Sequence, residues 1–463
     1  MLECGQHTVA PQPKVRTMRI PIYCVLLISL TLPPLFAAQL NAQQWSSFLN
    51  GGKPTAESAK IATQWSPETG IAWQTKLAGY GQSSPIVHGE TVYTTSVTGA
   101  NKETLNVEAF SMATGKRAWI HSQPNSTPQA NTVMVSRAAC SPVADDQGII
   151  AMFEGGNVVA LKHDGTIRWQ RDLTAEFGDV KARHGLAASL EQNDQHVFVW
   201  VERSESPYVM AVNKSDGETV WKVAGLGSTS WGSPRLVAVG ETDHLTLSSS
   251  GKVVGLDPAS GKRLWEFDNI QGNSSTTPIP VGNGKFMIGS TAGRGKTTFT
   301  KPCSGVIEIK QTDDGFEAAW LWSSMKLTCS FGSPFAFENR AYFVNRTGIA
   351  HCHHVETGER IFAGRLSCGS VWATPLASGG LLYFFGKSGA SCVVSPADKL
   401  EVLEENRLWS ADKPDAAKSD KPEDRFSGAV LYAAATAGQQ LLLRRGDTLF
   451  AIAKPTENAK PEN

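Results

Sequence analysis

The sequence predicts an all-β fold: an eight-bladed β-propeller of four-stranded antiparallel blades, the last blade being completed by the N-terminal strand. Three observations predict it. A motif of apolar strand, Gly turn and strand ending in an aromatic recurs along the 463 residues. Its aromatics, Trp73, Trp119, Trp169, Trp221, Trp265, Trp322, Phe362 and Trp409, step by about 48 residues on average, which fits four short strands rather than a helical repeat. The final repeat lacks a fourth strand, while the chain opens with a fourth strand that has no repeat before it.

The motif is clearest at Glu108–Trp119, Val158–Trp169, Met210–Trp221 and Val253–Trp265. Diverged copies run from Val306 to Trp322, with Asp314-Gly315 as the turn, and from Ile349 to Phe362, with Thr357-Gly358. Upstream of each aromatic, a small residue and a proline open an innermost strand: Ser84-Pro85, Ser141-Pro142, Ser233-Pro234, Thr277-Pro278, Ser333-Pro334 and Thr374-Pro375. Blade 3 departs, with Ser189-Leu190 in that place. Second strands follow at Thr91–Thr94, Val197–Val201, Lys285–Ile288, Ala341–Val344 and Leu381–Phe384, alternating or continuously apolar as half-buried and buried strands are. The fragments Thr69–Leu77 and Phe426–Lys454 then make one composite blade, which removes the open sheet edge.

Around this body (residues 43–454) the reading assigns residues 1–42 to a secretory signal. Lys14, Arg16 and Arg19 precede an apolar run from Ile20 to Phe36, and Ala37, Ala38 and Ala42 follow. Cleavage is expected between Ala38 and Gln43, and Met18 is an alternative start. The run falls short of the roughly 20 residues that span a bilayer, and Pro21, Pro33 and Pro34 bracket it. No membrane span is expected after cleavage. Residues 410–424 read as a charged loop and 455–463 as a disordered tail.

Charge nominates no partner: 43 basic and 43 acidic residues leave no excess to attract nucleic acid or an anionic membrane. Six cysteines remain after the signal, Cys140, Cys303, Cys329, Cys352, Cys368 and Cys392. Their even number permits disulfides in an oxidising compartment without specifying a connectivity, and buried free thiols are an equal alternative.

The Ala-x-Asp-x-x-Thr-Gly-x-x-x-Trp pattern resembles the tryptophan-docking repeat of pyrroloquinoline-quinone (PQQ) propellers, a superfamily of quinoprotein dehydrogenases and BamB-like envelope proteins. The resemblance implies that the eight aromatics are structural docking residues. One Trp buries about 150 to 250 Å², an upper estimate of about 4 to 6 kcal/mol. Quinoproteins of this resemblance carry adjacent cysteines, a calcium site of Glu, Asn and Asp, and a catalytic Asp. The chain has no Cys-Cys pair, no Cys-x-x-Cys-His and no local carboxylate group, so PQQ with calcium is the less favoured reading and no catalytic residue is assigned.

His351-Cys352-His353-His354 is the densest cluster of metal-ligand residues. Strand alternation puts His351 and His353 on one face and Cys352 and His354 on the other, which favours blade packing over a metal site. A ligand site is better sought at the funnel mouth, where loops enter the innermost strands. Counting back from each small-Pro signal nominates Tyr80, Arg137, His184, Trp231, Asn273, Phe331, Trp372 and, for the composite blade, Arg425. Aromatic faces with fixed donors suit a flat or sugar-like ligand or an aromatic-rich peptide strand. The opposing loops add Arg294, Arg346, Lys387, Arg444 and Arg445, and Cys303, Cys329 and Cys368 fall near the same rim, where a disulfide is an expectation. The functional expectation is an exported, monomeric, non-enzymatic scaffold of the periplasm or cell envelope that binds an envelope protein or peptide. A small-ligand or polysaccharide module is the first alternative, and a PQQ-dependent oxidoreductase the second.

Overall fold

The computed structural model describes residues 44–56, 60–132, 135–182, 184–227, 231–291, 298–410 and 430–454. The expected signal and tail, and all of the charged loop but Ser410, lie outside the described residues. Eight sheets follow one another along the chain, each with four antiparallel strands in simple meander order. Blades 1 to 7 occupy residues 86–124, 143–172, 191–224, 235–267, 279–324, 335–365 and 376–407. Blade 1 shows the physical logic. Its second and third strands, Thr91–Thr98 and Thr104–Ser111, are buried except at their ends, because adjacent blades cover both faces. Its outer strand, Arg117–Pro124, alternates half-buried and exposed residues because only its inner face is covered.

Blade 8 is composite, as expected. Leu431–Ala437, Gln440–Arg445 and Thr448–Ile452 pair in order, and Ile71–Lys76 adds the outer strand, with Ile71 opposite Ile452 and Lys76 opposite Thr448. Residues 372 to 381 positions apart in sequence therefore share a ladder, and the ring has no free seam.

The small residues ahead of each proline do more than open a strand. Ser84 N–H donates to Ser141 Oγ (2.9 Å), Ser141 N–H to Ser189 Oγ (3.0 Å), Ser189 N–H to Ser233 Oγ (2.9 Å) and Ser233 N–H to Thr277 Oγ1 (2.9 Å). Thr277 N–H continues to Ser333 Oγ (3.0 Å) and Ser333 N–H to Thr374 Oγ1 (3.1 Å). Each buried amide is satisfied by the hydroxyl of the next blade, which explains why these positions are Ser or Thr. Ser189 keeps the hydroxyl although Leu190 replaces proline, and the Leu190 N–H donates back to Ser141 O (3.3 Å).

In every blade the register between third and outer strands slips by one residue at the docking position. The bulge turns the aromatic toward the following blade. Indole N–H groups of Trp73, Trp119, Trp169, Trp221 and Trp322 donate to the carbonyls of Met112, His163, Lys214, Pro258 and Val355 in that blade. Their rings lie on its Gly turn; a Cβ on Gly217, already at φ 83°, would sit 2.7 Å from Trp169 Cδ2. Phe362 clusters with Leu400 and Val402 of blade 7, as a docking ring without a donor.

Trp265 docks on the following blade without the carbonyl bond, and the assignment of Trp409 needs correction. Trp265 donates instead to His244 Nδ1 of its own blade (3.0 Å), and its ring faces Phe286 of blade 5. Blade 5 has a long outer hairpin turning at Asp313-Asp314, so Gly315 has no ring packed against it. In blade 7 the slip falls at Glu404, which occupies the docking position, whereas Trp409 lies beyond the strand end. Trp65 from the lead-in segment, 4% exposed, fills the core shared by blades 7 and 8. Its N–H donates to Asn406 Oδ1 (2.8 Å), and Gln64 Nε2 donates to Glu404 Oε1 (2.7 Å).

Residues 44–56 cross one end of the channel, a role not legible in the sequence. Trp45 bridges Val87 of blade 1 in both directions (3.1 and 2.9 Å), Ser46 O accepts from Ala144 N–H of blade 2 (2.9 Å), and Phe48 O accepts from Arg235 of blade 4 (2.8 Å). Leu49 enters the core with Ile279 of blade 5, and Thr55–Ala56 pairs in parallel with the innermost strand of blade 7. The crossing turns through positive φ at Leu49 (56°) and Asn50 (49°). Gly52 is required there, since a Cβ would lie 2.7 Å from Pro280 Cδ.

Candidate functional site

The loops entering the innermost strands bring most of the nominated residues into one arc. Tyr80 is fixed by paired backbone hydrogen bonds to Val97 (3.1 and 2.9 Å), and its hydroxyl shares a 2.8 Å hydrogen bond with Tyr432. The Arg137 guanidinium lies 3.7 Å from the Tyr80 ring centroid. On one side, Tyr432 contacts Trp372 (6.2 Å between centroids), which meets Phe331 edge-on (5.0 Å). Lys387 lies over Trp372 and Arg346 over Phe331. On the other side, Ser136 N–H donates to His184 O (2.7 Å), and the His184 ring contacts Trp231 (5.7 Å).

Six of the eight candidates, Tyr80, Arg137, His184, Trp231, Phe331 and Trp372, thus form this arc. Asn273 does not line the mouth: it is fully buried, its side chain donating to Ser248 Oγ and Lys252 O and accepting from Gly251 N–H. A short amide between strand ends is more useful as a backbone clamp than as a rim donor. Arg425 and Arg294 lie outside the described residues. Tyr432 was missed because it sits within a strand, but the register skips it between Leu431 and Ala433, and that bulge aims it at the mouth.

Buried polar clamps hold the arc from beneath. Lys102 Nζ donates to Glu154 Oε1 and Ser136 O, both at 3.0 Å, while Glu154 Oε2 accepts from Ala138 N–H (2.9 Å). Arg137 is therefore gripped on both flanks. Glu202 accepts from Leu226 N–H (2.9 Å) and Gly227 N–H (2.6 Å) on the approach to Trp231, and burial pushes its carboxyl above the usual range. Burial likewise pushes the Tyr80 hydroxyl up.

Arg444 corrects the expected basic rim. It is fully buried, donates to Ser83 O (3.1 Å), Ser83 Oγ (2.6 Å), Thr95 O (2.6 Å) and Thr94 Oγ1, and so staples blade 8 to blade 1. Burial lowers it to about 10, still charged at neutral pH. Arg445 pairs with Asp447 (3.7 Å) and lies over Trp409 on the blade flank. Strand alternation separates the two arginines, and neither side chain belongs to the arc.

The His351–His354 strand behaves as blade packing. His353 stacks on Trp322 (5.7 Å) with Nδ1 at 2.8 Å from Gly358 O, and His354 Nε2 meets Asn339 (3.0 Å). Among the described residues no three His, Cys, Asp or Glu side chains are placed to hold a metal ion. All six cysteines are free and buried. The rim disulfide is not formed: Cys303 Sγ donates to Leu327 O (3.0 Å), and the sulfur beside Cys368 is that of Cys392.

The cavities lie elsewhere. One of about 480 Å³ opens at the plugged channel end, lined by Ser46, His88, Asp145, Asp146, Asn193 and Lys214 among others. Another of about 440 Å³ lies along the closing seam beside Trp409. The arc is instead an open surface, with Trp231 38% and Phe331 39% exposed.

The family described as outer membrane protein assembly factor BamB matches residues 55–200 and 179–294, more than half of the chain. The chain belongs to this PQQ-like repeat family. No curated protein sequence matches it. Among solved structures, BamB from Moraxella catarrhalis superposes with a TM-score of 0.55 at 12% identity, covering 84% of this chain and 99% of that one. A europium-containing methanol dehydrogenase gives 0.57 at 11%, covering 89% and 98%. Quinohemoprotein alcohol dehydrogenase from Comamonas testosteroni gives 0.57 at 12%, covering 91% and 82%. At these identities the likeness is one of fold, shared by a BamB and by dehydrogenases alike.

A quinone with its cation would need carboxylates facing the mouth of this PQQ-like repeat propeller. The arc offers aromatic and cationic side chains, and the buried Glu154 beneath it is committed to Lys102 and the Ala138 amide. The residues described here do not fit that group.

Proposed function

We propose that this propeller is a non-enzymatic interaction scaffold of the cell envelope, holding an extended, aromatic-bearing peptide segment of a partner across its funnel mouth. The arc from Phe331 through Trp372, Tyr432 and Tyr80 to Trp231 carries the reading. Its two end rings, Trp231 and Phe331, are exposed, those between them are half-buried, and Arg137, Lys387 and Arg346 lie over individual faces. Aromatic anchors flanked by cations suit a chain laid across a surface better than a small molecule, which is normally engulfed. BamB-like kinship supports an envelope location, and no helix among the described residues is long and apolar enough to cross a membrane. The reading involves no quinone.

Titration of the intact protein with extended Tyr- and Phe-containing peptides tests this, read by tryptophan fluorescence. Trp231→Ala and Trp372→Ala should fold normally and each weaken binding at least tenfold. Equal binding by both variants would remove the mouth from the function. PQQ with calcium should change neither the absorbance spectrum nor the thermal midpoint; a ligand at 100 times its Kd would add about 2.7 kcal/mol.

A further inference from the structure

Cys392 lies in the third strand of blade 7, Ala390–Ser395, opposite Phe384 and Glu405, and is fully buried. Cys368 lies on the loop that runs from blade 6 to Trp372 and is 5% exposed. Their sulfurs are 3.2 Å apart, closer than two sulfurs sit without bonding or hydrogen bonding. The backbone on both sides is pinned. Leu366 N–H donates to Gly348 O (2.8 Å) and Lys387 N–H to Ser370 O (2.9 Å), while the Cys368 carbonyl lies 2.0 Å from where a Cβ on Gly386 would be. The loop cannot lift without losing these contacts, so the two thiols are held facing each other.

We infer that Cys368 and Cys392 are a disulfide site, closed when the folded chain meets a small disulfide oxidant, and that the bond fastens the loop carrying Trp372 to blade 7. One of the two cysteines attacks the oxidant as thiolate, forming a mixed disulfide and releasing one thiol. The thiolate of its partner then attacks the protein sulfur of the mixed disulfide and releases the second. The oxidant gains two electrons, and the two cysteine protons pass to its released thiols. Of the other sulfurs, that of Cys303 donates to the Leu327 carbonyl, and Cys352 lies beside Tyr342 in blade 6. The inference is independent of what binds at the mouth.

Peptide mapping of the full chain decides it. The protein is equilibrated with oxidised glutathione, denatured, blocked with N-ethylmaleimide and digested. The expected product joins the Cys368 and Cys392 peptides, is lighter by two hydrogens than their sum, and separates on reduction. The oxidised protein should also melt at a higher temperature than the reduced one, a difference that Cys392→Ser abolishes. Full alkylation of both cysteines without prior reduction would overturn the inference, as would either one linked only to glutathione or to another cysteine. Mapping uses the wild-type chain, so it stands even if a variant fails to fold.

Discussion

The backbone N–H of Ser141 donates to the hydroxyl of Ser189 at 3.0 Å, joining blade 2 to blade 3 at a point where water has no access. Ser189→Ala leaves that amide buried without an acceptor, at a cost of about 1 to 3 kcal/mol. Ser189→Thr should be nearly neutral, because Thr277 and Thr374 already serve in the same link. Urea unfolding of the two variants measures the difference. A loss equal in both would mean that side-chain volume, and not the hydroxyl, matters there.

Trp65 fills the core beside blade 7, while Trp409, which the repeat spacing nominates for docking, lies beyond the strand end. Trp65→Ala empties a buried site between blades 7 and 8 and should destabilise by about 3 to 5 kcal/mol. Trp409→Ala should cost markedly less, since its ring is half-buried and lies outside the docking register. Chemical denaturation of both variants ranks them, and a larger loss at Trp409 would contradict the register.

Lys102→Met isolates the Glu154 carboxylate in a buried setting and should cost about 3 to 5 kcal/mol. Pairing it with Glu154→Gln should recover much of that stability. The loop holding Arg137 loses its grip in the single variant, so faster hydrogen exchange at Arg137 and Ala138 is the structural readout.

At the closing seam, Lys76 Nζ lies 2.6 Å from Asp447 Oδ2. Burial works against the Asp447 charge, but hydrogen bonds from Lys76 and Thr448 outweigh it and hold the carboxyl below the usual carboxylate range. A depressed folded pKa contributes stability above the unfolded value, and that contribution is lost as pH falls through the folded one. Asp447→Asn should therefore lower the thermal midpoint slightly at pH 7, by less than about 1 kcal/mol given the exposure of the pair. The gap to wild type should close below about pH 4. A gap that widens in acid would reverse the assignment.

Truncations separate the parts of the lead-in segment. Removing residues 43–77 takes away the outer strand of blade 8 and should open the ring, exposing the amides of Thr448–Ile452 to exchange. Removing 44–56 alone unplugs the channel but leaves Ile71–Lys76 in place, so those amides should stay protected. Hydrogen exchange by mass spectrometry reads both outcomes.

Much of the fold was legible because its signals are local. Strand alternation, Gly turns and a fixed period are carried by neighbouring residues, and the unpaired strand around Trp73 pointed directly to closure of blade 8. The mouth was partly legible for the same reason, since counting back from each small-Pro signal lands on loops that fold in the same way in each blade. The count failed at Asn273, where an amide turns inward, and at Tyr432, where a bulge turns a strand residue outward.

The sequence by itself determined the architecture: eight repeats, their strand order, the composite last blade and the side on which loops converge. Tertiary structure alone decided which residues use those positions. Glu404 rather than Trp409 took the docking site because register depends on a bulge that no spacing reveals. Arg444 became a buried staple because its acceptors, Ser83, Thr94 and Thr95, are about 350 residues away along the chain. Residues 44–56 became a plug because only a closed ring presents the inner strand edges they pair with. Propensity and period act over a few residues, whereas burial, pairing and close approach depend on what the closed ring brings together.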